Sequence, residues 1–178
     1  YGRVIATGLP LLSGDAVPGR RRRVGGLMKD ALGVDAGLAA PVLEPGDVDV
    51  LALASREVLR RLCLRLFGDA CEPLLDDIAA AVLDTAHSGH RQSLATPSWS
   101  RLVGKDVAAI ASARARLLRV ARTILDDDAF SGCTFRRAFA DAPRSEQEDE
   151  LLTQLRAGAE TTSLSVCFTL WLLAGHDE

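Results

Sequence analysis

The segment from Ser145 to Gly175 constrains the fold more than any other part of the chain. It opens with Ser145 and, three residues on, Glu148. At that spacing a serine hydroxyl and a glutamate carboxylate cap the first turn of a helix reciprocally. Glu146, Glu148, Asp149 and Glu150 crowd the same turns, where the positive end of the helix dipole favours carboxylates. The pattern predicts one helix of roughly 45 Å at 1.5 Å rise per residue. Its second half, Ala157 to Ala174, is apolar nearly all round, so it is expected to lie in the middle of a core.

The remainder of the 178 residues is enough for one domain around such a helix. Ala, Leu and Arg dominate, and aromatic residues make up only 4% of the chain, a bias that favours helix over sheet. The fold class expected is all-α. Helices are predicted over about 16–32, 47–68, 72–87, 100–127 and 145–176. The second repeats Val50, Leu51, Ala54, Val58, Leu59, Leu62 and Leu66 at helical spacing and ends at Gly68. The third carries Leu74, Ile78, Ala81 and Val82 on one stripe. The fourth carries Val107, Ile110, Ala111, Leu117, Val120, Ala121 and Ile124. Residues 1–16, 33–46, 88–98 and 128–143 read as loops, with weak strand patterns only at Val4 to Ala6 and Val48 to Leu53.

Charge and cysteine content exclude several functions. A net charge of −3 provides no electrostatic basis for binding nucleic acid. Four cysteines, Cys63, Cys71, Cys133 and Cys167, form no C-x-x-C pair and follow no signal peptide, which points to a reducing, cytoplasmic setting without disulfides. No uninterrupted apolar run reaches the ~18 to 20 residues of a membrane span, so no membrane segment is expected. His87 and His90 share a loop without a third ligand, and no metal site is assigned. The run Arg20 to Arg23 reads as a solvated helix face. The chain begins at Tyr1 and stops just past a helix, which reads as a cut through a longer protein.

The chemistry-bearing stretch is "LRAGAETTSLS", residues 155–165, inside the long helix. Gly158 in a helix interior costs about 1 kcal/mol relative to alanine and leaves a bare surface that a flat ligand or a small molecule can approach. Glu160 is expensive to bury as a charge unless it faces a wet pocket or takes up a proton. Thr161 can donate back to the carbonyl of Ala157, which loosens the turn. On spacing alone, two readings stay open. These residues can form a proton path, or Thr161 and Thr162 can be ordinary helix threonines with Glu160 turned to solvent.

"AGAETTSLSVCFTLWLLAGHDE" resembles the long central helix I of the heme-thiolate monooxygenases, the cytochromes P450, which carry A-G-x-[DE]-T-T followed by an "LLA-x-HPE" ending. Ala157, Gly158, Glu160, Thr161 and Thr162 occupy the motif. Leu172, Leu173, Ala174, His176 and Glu178 occupy the ending, with Asp177 where the family has proline. "GLPLLSGDAVPGRRRRV" is similar to the family's helix C entry, with Arg23 at the arginine that contacts a heme propionate and Gly19 where the family has tryptophan. "LCLRLFGD" resembles the end of helix D, and residues 97–127 the approach to helix G. The resemblance is specific over 145–178 and loose elsewhere.

The resemblance implies a single incomplete domain, from before helix C through helix I, of an enzyme that activates O2 and inserts one oxygen atom into a small organic substrate. It implies heme b as cofactor and an electron donor of ferredoxin or flavoprotein type. Ala157 and Gly158 would line the oxygen and substrate pocket, Thr161 would hold the group that delivers protons, Glu160 would relay them from solvent, and Arg23 would meet a propionate. The family's E-x-x-R pair and its F-x-x-G-x-x-x-C ligand loop follow helix I and are not within these residues. The isolated chain is therefore expected to bind heme poorly and to lack activity. The alternatives are an all-α ligand-binding or regulatory domain, or a degenerate, non-catalytic relative.

Overall fold

The computed structural model describes residues 16–33, 48–94 and 100–174. The described residues are almost wholly helical and include no strand. The helices are α1 (Ala16–Gly33), α2 (Val50–Phe67), α3 (Leu75–Leu94), α4 (Ser100–Asp126), α5 (Thr134–Ala138) and α6 (Arg144–Ala174). Two 3-10 turns, Asp69–Leu74 and Asp128–Phe130, join α2 to α3 and α4 to α5. The fold is all-α and closes on a long C-terminal helix, and α6 spans about 46 Å at 1.5 Å per residue.

Local chemistry sets the boundaries. The Asp49 side chain accepts from the N–H of Ala52 at 3.0 Å and starts α2. Gly68 ends it: φ is 77°, a region costly for a residue with a Cβ, and its N–H donates to Leu64 O at 2.9 Å. The weak strand pattern at Val48 to Leu53 yields to the helix these caps define. The strand pattern at Val4 to Ala6, the first two loops and the "HDE" ending lie outside the described residues.

Other boundaries depart from the sequence pattern. Ser88 to Leu94 continue α3 instead of forming a loop. Residues 128–143 contain a 3-10 turn and α5. Cys133 Sγ caps α5 by accepting from the N–H of Arg136 at 3.4 Å. The capping box at Ser145 and Glu148 does not form. The first acceptor of α6 is Pro143 O, which takes the N–H groups of Glu146 and Gln147 at 2.9 and 3.0 Å. Gln147 reaches back to Phe139 O and Ala142 O at 3.0 and 2.9 Å, which holds the preceding turn so that the helix begins a residue early. Glu148 is then turned to Arg122 and Arg144.

The core lies where α2 packs on α6 and α3 on α4, with α1 and α5 closing one end. Leu59, Cys63, Leu66, Ile78, Ala121, Ile124, Leu151 and Leu155 fill it. Phe135 stacks on Phe139 at 4.9 Å between ring centres and meets Phe67 edge-on at 5.9 Å, an arrangement that adds to the burial itself. Ala111 is exposed, although it shares its helix with the buried Leu117, Val120, Ala121 and Ile124.

The basic run also departs from its expected solvated face. Arg21 and Arg22 point to solvent, but Arg20 is buried and its Nε donates to Glu150 Oε2 at 2.8 Å. Glu150 Oε1 accepts from Gln154 at 2.7 Å. One turn along α1, Arg23 pairs with Glu146. Two arginines three apart thus meet two glutamates four apart, and the pair of rungs ties α1 to α6.

The largest departure is in α6. Leu151, Leu155, Ala159 and Ser163 are buried against the bundle, but beyond Ser163 the core stops. Leu164, Val166, Phe168, Leu170, Trp171, Leu172 and Leu173 are exposed, Phe168 by 61% and Trp171 by 70%. The expectation that this half lies in mid-core is therefore corrected: the described helices flank only its start. Among the described residues α6 is also long and apolar enough, by length and composition, to cross a membrane. Serine and threonine interrupt its apolar run without adding charge, and membrane spans and core helices share that composition.

Candidate active site on the long helix

The motif residues divide between two sides of α6. Residues 155, 159 and 163 recur every four positions and face the bundle, where they are buried. Ala157 and Thr161, also four apart, lie on the exposed side. Thr161 Oγ1 donates to Ala157 O at 2.8 Å, the back-bond its spacing predicts. Ser165 repeats the bond to Thr161 O at 2.9 Å, and Thr169 repeats it to Ser165 O at 2.8 Å. The result is a strip of small residues whose hydroxyl protons are already used. Each oxygen keeps acceptor capacity for an outside donor.

Gly158 looks the other way. A Cβ there would stand 2.8 Å from Leu62 Cδ2, so the glycine leaves room for the end of that α2 side chain. Gly158→Val is expected to cost about 1–3 kcal/mol by overpacking, read as a lower urea midpoint. An unchanged midpoint would show that this contact is loose.

Glu160 is half-buried and lines a cleft between α2, α3 and α6 with a cavity volume of about 440 Å3. Leu51, Leu59, Ala80, Leu83 and Leu164 form apolar walls. Arg56 and Asp76, paired at 3.0 Å, supply a polar edge. Consecutive helix residues point about 100° apart, so the carboxylate of Glu160 and the hydroxyl of Thr161 are turned to different surroundings.

Of the residues the resemblance implies for a heme site, only Ala157 and Thr161 share an exposed strip; Gly158 faces Leu62, Glu160 the cleft and Arg23 Glu146. Ala157 and Thr161 provide an open, uncharged strip with an acceptor oxygen. Arg23 is engaged near the start of α6: its partner Glu146 precedes Thr161 by fifteen residues, about 22 Å of helix rise. Its Nε is buried without a protein partner among the described residues, as is Nη2 of Arg20.

Burial disfavours the thiolate form at three of the four cysteines. Burial pushes the Cys63 thiol well up, helped by the neighbouring Cys71. Burial pushes Cys71 up to about 11. Cys133 is raised by burial as well, against the opposing pull of its backbone hydrogen bonds. Cys167 donates to Val50 O at 3.7 Å. Among the described residues no three His, Cys, Asp or Glu side chains converge on a metal position.

Sequence reasoning missed two features here. One is the Arg20–Glu150 pair. Arg20 continues the stripe of Val24, Leu27 and Ala31, a signal visible in the spacing. The other is the cleft beside Glu160, which needs three helices to form and has no sequence signature. No protein-family model, curated protein or solved structure matches the chain.

Proposed function

We propose that this chain carries the oxygen-facing side of a heme-thiolate monooxygenase that inserts one atom of O2 into a small organic substrate. The observation that carries the reading is the placement of the A-G-x-E-T-T residues. Ala157 and Thr161 occupy the exposed side of a helix whose uncovered surface beyond them is apolar and free of charge. A bundle of this kind calls for a further apolar body against α6.

The heme, when bound, supplies oxygen activation. The chain's own residues do the rest. Ala157 leaves space beside the helix. Thr161 Oγ1, its proton held by Ala157 O, accepts a hydrogen bond from a water and so fixes that water where a proton is needed. Glu160 takes protons from solvent on the cleft side and passes them around the helix through water. The apolar surface from Leu164 onward excludes bulk solvent once covered. The electrons come from a separate ferredoxin- or flavoprotein-type donor. A cytoplasmic setting and heme b remain parts of this proposal, and it calls for no nucleic acid.

The cleft of about 440 Å3 favours the alternative, an all-α ligand-binding domain, because small-molecule sites have that size and apolar lining. Sequencing the reading frame beyond Glu178 separates the two. The monooxygenase requires an E-x-x-R pair and a glycine-bearing cysteine loop downstream. A frame that ends without them overturns the proposal and leaves the ligand-binding domain.

A further inference from the structure

We draw no further inference here: the strongest candidate, the uncharged apolar face of α6 from Leu164 to Leu173, carries nothing beyond the proposed function because nothing in the structure shows what covers it.

Discussion

Glu150→Ala is expected to destabilise the domain by about 3–5 kcal/mol, the cost of leaving a buried charge without its partner. Glu150 is completely buried and Arg20 nearly so, and their ion pair at 2.8 Å is the contact that seats α1 on α6. Truncating the carboxylate strands the guanidinium, whose Nη2 already lacks a partner among the described residues, and removes the acceptor of Gln154. A loss of that size takes a large share of the roughly 5–15 kcal/mol that holds a typical domain folded. Urea unfolding followed by circular dichroism measures it. Replacing both residues, Arg20→Met with Glu150→Leu, is expected to recover most of the loss, because a buried ion pair gains little over well-packed apolar side chains. A cost below about 1 kcal/mol for Glu150→Ala would match a solvent-exposed pair and would contradict the burial.

The second large effect concerns chemistry. If the proposed function holds, Thr161→Ala in the heme-loaded protein is expected to lower product formed per electron consumed by about 100-fold, the lower end of what a positioned proton-transfer group contributes. On the proposed reading, the substitution removes the oxygen that would fix the proton-donating water beside Ala157. Oxygen that has gained two electrons and two protons without cleavage leaves as hydrogen peroxide, so peroxide should rise as product falls. Thr161→Ser keeps the hydroxyl and should restore most of the coupling. The fold should be untouched, since Thr161 is exposed and its side-chain bond returns to its own helix. Equal coupling in the alanine and serine variants would remove Thr161 from the proton path.

Much of this architecture is legible in the chain. Apolar spacing locates α2, α3 and α4, and Gly68 ends α2 where a left-handed residue is needed. The back-bond of Thr161 follows from a threonine four residues after a carbonyl inside a helix. What escapes sequence reading depends on neighbours. Four consecutive arginines look solvated until the helical period shows that Arg20 and Arg23 share a side with Leu27. Ser145 and Glu148 have capping-box spacing, but Gln147 holds the turn before them and makes Pro143 O the first acceptor. Phe135 sits in a short helix with too few residues to show a period, and Phe139 is the residue that ends it.

The second half of α6 is the sharpest case. Its composition states that it needs to be covered, but composition does not say by what. Burial ends at Ser163, and beyond it Leu164 lines the cleft and Cys167 reaches Val50 O while the rest stays exposed. The site divides in the same way. Ala157 and Thr161 are placed by the four-residue spacing of one helix. The surroundings of Gly158 and Glu160, on opposite flanks of the buried stripe, depend on where α2 and α3 lie.

The central claim is that α6 presents the oxygen-facing side of a thiolate-ligated heme. The direct measurement is the absorption spectrum of the full-length gene product, loaded with heme, reduced and exposed to carbon monoxide. The account predicts the red-shifted band of a thiolate-heme from the full-length protein. It predicts no such band from the 178-residue chain, whose sequence holds no F-x-x-G-x-x-x-C ligand loop. Failure of the full-length protein to take up heme, or an unshifted band, would contradict it.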